Sequence, residues 1–312
     1  MKTAQINKYG GKEVVEINNT ISKPQAEEGK IVVEIHAAGV NPIDWKIRQG
    51  YLAQMMPLHF PATMGGDFSG VVTEVGGGVS GLRVGDEVYG QAGVLLGGSG
   101  TFAEYALVSA QNVAKKPKNV SHKEAAGLPL AGVSAFQALF ENINLKKGQK
   151  ILIHGGAGGI GSFAIQLAKY SGAYVYTTVS IEDVAYVKEL GVDEVIDYKS
   201  QKFDDIVKDC DAVFDTVGGE TYTRSFNVLK KGGVIVSMAE QPNTELMEKY
   251  GVQAIYQFTQ PTREKLEKLA ALVERGAVKV HIDKTFRLDE TAEALSYLET
   301  GHSKGKVVLQ IK

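Results

Sequence analysis

A glycine-rich turn directly after a short apolar segment places the strongest constraint on how this chain can fold. The apolar segment, Lys150–His154, is suited to a strand that is buried on both faces. A helical pattern continues after the turn through Gln166 and Tyr170. The turn itself is formed by Gly155, Gly156, Ala157, Gly158, Gly159, Ile160 and Gly161. A strand, a glycine turn and a helix in this order are typical of a dinucleotide-binding domain.

Three of these glycines follow the spacing G-x-x-G-x-x-G, and each has its own predicted task. Gly155 permits a tight turn, Gly158 lets backbone amides approach a pyrophosphate, and Gly161 allows the helix to pack closely on the sheet. The anion would then meet unpaired amides at the positive end of the helix dipole. The glycines could instead serve only the turn and the packing, but the strands and helices around them favour dinucleotide binding.

The pattern of the chain changes near residue 121, which indicates two domains. Before it, short segments such as Ile31–Ala37 and Gly70–Val75 are rich in β-branched residues and predict a barrel-like or partly open β domain. After Gly148, short strands alternate with helices, which predicts an α/β domain with a doubly wound parallel sheet. The strand-like residues of the tail are expected to return to the first domain. We therefore expect a discontinuous β domain over residues 1–122 and 280–312, and a nucleotide-binding domain over residues 123–279.

Composition argues against several classes of partner. With a formal net charge of −2, the chain has no electrostatic reason to bind nucleic acid or an anionic membrane. The single cysteine, Cys210, can form no disulfide within the chain, which favours a reducing compartment. The sequence shows neither a signal-peptide pattern nor an apolar run of about eighteen residues, so we expect a cytoplasmic protein.

Besides the glycine turn, several further segments occur in a characteristic order. They are AGVNPIDWKIRQG at 38–50, GGDFSGVV at 65–72, GLRVGDEV at 81–88, TFAEY at 101–105, DTVGG at 215–219 and GHSKGKVV at 301–308. Together with the turn, they resemble the medium-chain dehydrogenase/reductase superfamily over essentially the whole chain. The nearest match is its zinc-lacking quinone oxidoreductase branch, which includes plant-type enone reductases. The resemblance implies a Rossmann domain, which is a doubly wound parallel sheet, together with a discontinuous GroES-like β domain.

The resemblance also bears on metal binding. Zinc-dependent relatives carry a cysteine at the position of Asn41 and a His-Glu pair at the position of Gly66–Asp67, and their structural zinc loop has no counterpart here. The six histidines show no paired spacing, so we expect no zinc. A quinone or an α,β-unsaturated ketone spreads the incoming charge over a conjugated system and needs less stabilisation than a plain ketone does. The implied reaction is hydride transfer from a nicotinamide cofactor to an electron-poor quinone, enone or enal.

The choice of cofactor depends on the end of the second strand of the nucleotide domain. NAD-binding domains usually place an acid there, whereas this chain has Ser180, which can hydrogen-bond to a 2′-phosphate. Tyr198 could add a further contact, but Glu182 and Asp183 lie close by in the sequence. NADPH is therefore favoured, and NADH is possible. Alternatively, Ser180 is only a helix cap.

The resemblance further implies which residues surround the substrate and the nicotinamide. It places Asn41 and Asp44 at the floor of a cleft, with Lys46 and Tyr51 close behind. Asn41 could donate a hydrogen bond to the substrate carbonyl, and Tyr51 or a water could supply the proton that completes the reduction. Alternatively, Asn41–Pro42 is only a turn and Asp44 only positions its neighbours. Further cofactor contacts are expected from Ser134, Val217, Met238 and Lys306.

Two other functions stay open at this point. One is a non-catalytic, crystallin-like or regulatory protein that binds NADPH, and the other is an enoyl-thioester reductase. The intact glycines and the polar pair Asn41 and Asp44 favour an enzyme. The loops Leu52–Phe60 and Ala92–Gly100 would shape the pocket, so the sequence does not choose among quinone, enal and enone. Residues 255–258 could supply an edge strand for a homodimer.

Overall fold

A computed structural model of the chain describes residues 1–94 and 97–312, and these residues form two compact units. The first unit consists of Met1–Leu130, Pro261–Arg275 and Val280–Lys312. The second unit consists of Ala131–Gln260 and Gly276–Lys279.

Strands and helices are numbered along the chain. The strands are β1 (Thr3–Ile6), β2 (Val15–Asn18), β3 (Lys30–Val40), β4 (Ala62–Thr63), β5 (Asp67–Val75), β6 (Glu87–Gln91), β7 (Tyr105–Ser109), β8 (Val113–Lys115), β9 (Lys150–His154), β10 (Tyr174–Val179), β11 (Glu194–Asp197), β12 (Cys210–Asp215), β13 (Leu229–Ser237), β14 (Gln253–Tyr256), β15 (Ile282–Arg287) and β16 (Lys306–Gln310). The α-helices are α1 (Pro42–Gln49), α2 (His122–Ala126), α3 (Pro129–Phe136), α4 (Gly159–Tyr170), α5 (Val184–Glu189), α6 (Phe203–Ile206), α7 (Gly219–Ser225), α8 (Thr244–Tyr250), α9 (Arg263–Glu274) and α10 (Thr291–Glu299). A π-helix, Gln137–Asn142, follows α3. Among the described residues, none of the helices combines the length and the apolar character needed to cross a membrane.

The first unit is built on a sheet whose strands follow the order β15-β16-β3-β5-β6-β8, with β7 also paired to β3. A smaller sheet has the order β2-β1-β4. In the register of β16 and β3, Val307 lies opposite Val40, so the C-terminal tail returns to this unit as predicted. Apolar side chains such as Ile31, Val33 and Phe68 are fully buried in the core. Val32, between Ile31 and Val33 on β3, is fully buried as well, so this part of the strand is covered on both faces.

The second unit is a parallel sheet with the order β11-β10-β9-β12-β13-β14 and helices between its strands. This confirms the predicted doubly wound α/β fold. The central strand β9 contributes Ile151, Leu152 and Ile153, which are all fully buried, as a strand covered on both faces requires. The order of the strands reverses between β9 and β12, and ligands of such folds bind at the carboxyl ends of the strands at this point.

Helix α9 groups with the first unit, although the sequence pattern placed residues 123–279 in the nucleotide-binding domain. The reason is a set of hydrogen bonds from residues distant in sequence. The Arg263 guanidinium donates to the Ala110 carbonyl oxygen at 2.7 Å, and the Tyr89 hydroxyl donates to the Leu266 carbonyl oxygen at 2.5 Å. A helical pattern alone does not indicate which unit receives the helix.

Two local features of the structure go beyond the sequence patterns. Asn41–Pro42 is more than a turn, because Asn41 is the N-cap of α1 and Pro42 is its first residue. Helix α7 ends at Ser225, and a 3₁₀-helix, Phe226–Val228, leads directly from it into β13.

Candidate active site

The glycine turn joins β9 to α4 in the second unit. Either backbone conformation or close packing requires glycine at three of its positions. Gly155 has a φ of 69°, a backbone conformation that favours glycine. A Cβ on Gly156 would lie 2.1 Å from Thr177 Oγ1, and a Cβ on Gly161 would lie 2.2 Å from the Gly155 carbonyl oxygen. These contacts assign Gly155 to the turn and Gly161 to close packing of the helix.

Gly158 differs from these three glycines because neither its backbone conformation nor packing requires glycine at this position. It is the N-cap of α4, with φ −70° and ψ 173°, a conformation open to any residue. A Cβ there would meet only the Gly155 carbonyl oxygen, at an ordinary contact distance of 3.4 Å. Gly158 provides no side-chain cap for the first amides of α4, which belong to Gly159, Ile160 and Gly161. A helix that begins with such amides fits the pyrophosphate of a dinucleotide.

Polar and charged side chains follow β10, where dinucleotide-binding folds hold the adenosine ribose. The Ser180 hydroxyl donates to Asp183 Oδ2 at 2.9 Å, and Lys199 Nζ lies 3.4 Å from Glu182 Oε2. Hydrogen bonds, first from its own backbone amide, lower the pKa of Glu182, so this side chain is charged at neutral pH. Tyr198 is 56% exposed. The surroundings of this strand end therefore contain hydrogen-bond donors and one ammonium, but also two carboxylates.

The other cofactor residues predicted in the second unit lie near the ends of the adjacent strands and in α3. Val217, which follows β12, is 56% exposed. Gln257 Nε2 lies 3.4 Å from Met238 Sδ and donates to the Ser134 carbonyl oxygen at 2.9 Å. The Ser134 hydroxyl is 2.6 Å from that of Thr259. Gln257, which the sequence pattern did not single out, thus joins two of the predicted residues.

In the first unit, a buried polar cluster lies where β3 ends and α1 begins. The backbone N–H of Asn41 donates to Asp44 Oδ2 at 2.7 Å. The Asn41 side chain donates through Nδ2 to Asp67 Oδ2 at 2.9 Å, and its Oδ1 accepts from Lys306 Nζ at 2.5 Å. None of these four residues is more than 3% exposed. The structure therefore brings together Asn41 and Asp44, both expected to be catalytic, with Lys306, expected to contact the cofactor.

Asp67 lies at the centre of this cluster. Its Oδ1 accepts from Gln91 Nε2 at 2.7 Å, and the backbone N–H of Leu130 lies 3.1 Å from Oδ2. In every hydrogen bond that the structure gives to Asp67, the Asp67 carboxyl group is the acceptor, so its ionised form satisfies all of them. The register of β3 and β5 places Asp67 opposite Gly39, two residues before Asn41. In the sequence, this residue was noted only as part of Gly66–Asp67, where zinc-dependent relatives carry a His-Glu pair.

Burial shifts the three ionisable groups of the cluster towards their neutral forms. It raises the pKa of Asp44 to about 7, raises the pKa of Asp67 and lowers the pKa of Lys306. The attraction between Lys306 and Asp67 opposes both of their shifts, as do the hydrogen bonds to Asp67. The cluster thus holds Lys306 and Asp67, whose charges attract each other across the Asn41 amide, beside an acid that exchanges a proton near neutral pH.

Comparison with known proteins decides the family. Residues 27–118 match the alcohol dehydrogenase GroES-like domain, and residues 190–309 match the zinc-binding dehydrogenase family. A 2-methylene-furan-3-one reductase from Solanum lycopersicum is 39% identical over 319 residues, which cover 99% of this chain and 79% of the relative. A chloroplastic NADPH-dependent alkenal/one oxidoreductase from Arabidopsis thaliana is 37% identical over 318 residues, with coverage of 99% and 79%. The structure of the quinone oxidoreductase from Coxiella burnetii matches with a TM-score of 0.91 and 36% identity, covering 100% of this chain and 99% of that one.

The chain belongs to the quinone oxidoreductase branch of the medium-chain dehydrogenase/reductase superfamily. This confirms the superfamily and the branch indicated by the sequence segments.

One of the matching families is named for zinc, yet the donor set of this medium-chain dehydrogenase/reductase does not fit a zinc ion. Its described residues contain no group of three or more His, Cys, Asp or Glu side chains that could hold a metal. The polar cluster offers the neutral amide of Asn41, and the Lys306 ammonium lies 2.5 Å from the oxygen of that amide. A second cation at this oxygen would be repelled, and a structural or catalytic zinc needs about three N, S or O ligands.

Two further residues predicted for catalysis in this medium-chain dehydrogenase/reductase contact Trp45. Lys46 Nζ lies 5.7 Å from the centre of the Trp45 ring, and the Tyr51 ring packs edge-on against it at 5.8 Å. Tyr51 is 66% exposed, so its hydroxyl can exchange protons with water. Lys46 is therefore exposed on α1 and Tyr51 follows the end of this helix, whereas Asp44 belongs to the buried cluster.

The predicted pocket loop Leu52–Phe60 borders a cavity of about 410 Å³ in the first unit. Its lining residues include Met56, Leu58, Thr63 and Ser99. The second predicted pocket loop was Ala92–Gly100, of which residues 95 and 96 lie outside the described residues.

His154 is a residue of this site that the sequence pattern did not single out. Its buried ring places Nδ1 2.9 Å from Thr178 Oγ1 and Nε2 2.9 Å from Ser225 Oγ. Because the Ser225 hydroxyl donates to the Thr221 carbonyl oxygen at 2.7 Å, its oxygen accepts from Nε2–H, and Nδ1 accepts from Thr178. Burial lowers the pKa of His154 to about 4, so the ring is neutral. The imidazole thus ties β9 to β10 and α7 directly before Gly155, and its place before the glycines was the only signal in the sequence.

Proposed function

We propose that this protein is an NAD(P)H-dependent oxidoreductase that reduces quinones or α,β-unsaturated carbonyl compounds. The observation that carries the proposal is the N-terminus of α4, whose first amides receive no side-chain cap from Gly158 and fit a pyrophosphate. The names of the relatives, an enone reductase, an alkenal/one oxidoreductase and a quinone oxidoreductase, support the substrate class. When bound, the nicotinamide supplies a hydride to the electron-poor carbon of the substrate.

The role of the second unit is to bind and orient the cofactor. The uncapped amides of Gly159, Ile160 and Gly161 hold the pyrophosphate, and His154 keeps the start of the turn in place through Thr178. Ser134, Val217 and Met238 border the nicotinamide end at the carboxyl edge of the sheet. These assignments are supported by the positions of the residues at the ends of β9, β12 and β13 and in α3.

Within this proposal, NADPH is the preferred cofactor, as it is for the Arabidopsis thaliana relative by its name. Ser180 and Tyr198 can hydrogen-bond to a 2′-phosphate, and Lys199 brings a positive charge to the same strand end. Glu182 and Asp183 act against this preference because their charges repel the phosphate. We therefore expect a moderate preference for NADPH and measurable use of NADH.

Also within this proposal, the reaction requires no zinc. The negative charge that reaches a quinone or an enone is delocalised, so a single hydrogen-bond donor at the carbonyl oxygen can replace a metal. Asn41 is that donor. Tyr51, which is exposed to water, passes on the proton that completes the reduction.

Oxidation of the cofactor, followed by its absorbance, tests the proposal. The purified protein is mixed with NADPH or NADH and with a small quinone, an enone, an enal and an enoyl thioester, before and after treatment with a chelator. We expect NADPH to be consumed with the quinone and with the enone or enal, at rates that the chelator does not change. A protein that binds NADPH but never oxidises it would be non-catalytic, and activity lost on chelation would refute zinc independence.

A homodimer completes the proposal. β14 lies at the edge of its sheet, and Tyr256 and Phe258 beside it are partly exposed. An exposed edge strand can pair with the same strand of a second copy. Sedimentation equilibrium should give twice the mass of one chain for the original protein and the mass of one chain for the Ile255→Pro variant. A mass of one chain for the original protein would exclude the dimer.

A further inference from the structure

We infer that Lys306 and Asp67 are positioning residues that hold the Asn41 amide in the one orientation from which it can donate a hydrogen bond to the substrate oxygen. The inference rests on the proposed function, since it assigns a task to residues that support the same reaction. Lys306 was expected from the sequence to contact the cofactor. Its ammonium lies 2.5 Å from Asn41 Oδ1, and 3.5 Å from the Val40 carbonyl oxygen, in the first unit.

The neighbours of Asn41 allow only one orientation of its amide. The Lys306 ammonium has donors alone, and it faces Oδ1. The Asp67 carboxylate has acceptors alone, and it faces Nδ2 at 2.9 Å. Turning the amide by half a rotation would set Nδ2 against the ammonium and Oδ1 against the carboxylate. Both contacts would then be repulsive, so the pair selects the observed orientation of the amide.

The two charged groups are themselves held in place. Asp67 accepts from Gln91 Nε2 at 2.7 Å and from the backbone N–H of Leu130, and Lys306 begins β16, which pairs with β3. Asp67 is fully buried, and Lys306 is 3% exposed. Water therefore cannot replace either partner, and the low dielectric of the interior strengthens their effect on the amide between them.

This arrangement leaves Asn41 with one defined task. An amide nitrogen carries two hydrogens, and Asp67 takes one of those on Nδ2. The second hydrogen is left for the carbonyl oxygen of the substrate. The Lys306 charge polarises the amide through Oδ1 and makes Nδ2 a stronger donor as negative charge develops on that oxygen. Lys306 thus supplies positive charge without touching the substrate.

The double variant Lys306→Met with Asp67→Asn tests the inference. It removes both charges together, so neither is left unpaired in the interior, and it keeps the size of both side chains close to the original. Lys312→Met is the matched control, because it removes an exposed lysine that pairs with Glu34 at 2.8 Å. Thermal unfolding identifies folded variants. Should the double variant not fold, Lys306→Met alone, which withdraws the donor to Asn41 Oδ1, is measured in its place.

The measurements are the kcat with an enone and the Kd for NADPH. We expect the variant to lose about 100-fold in kcat, the effect of removing one oriented donor to a developing oxyanion, and to bind NADPH within about twofold of the original protein. The control should keep both values. A folded variant with an unchanged kcat, or one that loses NADPH affinity instead, would overturn the inference and leave the proposed function standing. An unaltered protein that reduces neither enone nor quinone would overturn both.

Discussion

Replacing Gly158 with alanine separates cofactor binding from folding more cleanly than any other change in the glycine turn. The added Cβ would lie 3.4 Å from the Gly155 carbonyl oxygen, which is an ordinary contact, and the backbone angles of Gly158 suit any residue. At such positions, Gly→Ala substitutions stabilise a fold by about 0.4–1 kcal/mol, chiefly because the unfolded chain loses freedom. Alanine is a poorer N-cap than glycine, which offsets this gain, so the variant is expected to fold about as stably as the original protein.

The same methyl group would occupy the space that a pyrophosphate needs above the first turn of α4. If it displaces the phosphates from two backbone amides, the loss is about 1.5 kcal/mol for each charge-assisted hydrogen bond. The sum of about 3 kcal/mol corresponds to a Kd for NADPH that is about 100-fold weaker. Isothermal titration calorimetry measures this Kd, and urea unfolding measures the stability.

Two further variants serve as controls. Gly77→Ala adds a methyl group where nothing lies within 4 Å, so it should change neither affinity nor folding. Gly161→Ala would place a Cβ 2.2 Å from the Gly155 carbonyl oxygen, so it should lower stability as well as affinity. A stable Gly158→Ala protein that binds NADPH within about threefold of the original would refute the assignment of this turn to the pyrophosphate.

Three other predictions concern charge. Burial raises the pKa of Asp44 from 3.8 to about 7, so its contribution to stability is full below pH 3.8 and is lost as the pH rises through 7. In urea unfolding above neutral pH, the Asp44→Asn variant should therefore be up to about 4 kcal/mol more stable than the original protein. Equal stability of the two proteins there would contradict the shift. Burial lowers the pKa of His154 from 6.5 to about 4, so about 3 kcal/mol of stability is lost as the pH falls between these values. The free energy of unfolding of His154→Asn should lack this dependence on pH, and an equal dependence in both proteins would contradict the shift. Glu182→Gln should raise the NADPH-to-NADH ratio of kcat/KM about fivefold, because it removes about 1 kcal/mol of repulsion from the 2′-phosphate; an unchanged ratio would place the phosphate elsewhere.

Much of the second unit could be predicted from the sequence because its signals are local. The strands β9 and β10 are short apolar segments, and helix α4 follows the glycine turn without interruption. The tasks of Gly155 and Gly161 depend on backbone geometry within one turn, which the spacing of the glycines already encodes. The β-rich first unit could be predicted in the same way, from short β-branched segments separated by glycines.

The start of α1 shows where a local sequence pattern no longer distinguishes between two structures. Asn41 followed by Pro42 is compatible with a turn or with a helix start, and the capping contact with Asp44 decides between them. Helix α9 has a clear helical pattern, but its hydrogen bonds to Ala110 and Tyr89 determine which unit receives it.

By itself, the sequence determined the order of strands and helices, the glycine turn and the family, because these depend on side-chain periodicity and on backbone sterics among neighbouring residues. Only the tertiary structure decided what surrounds Asn41, whose partner Lys306 lies 265 residues away, and which tautomer His154 adopts beside Ser225, 71 residues away. The physical reason is desolvation. A lysine, a carboxylate or an imidazole acquires its charge state and its hydrogen-bonding role only when folding removes it from water and supplies a partner.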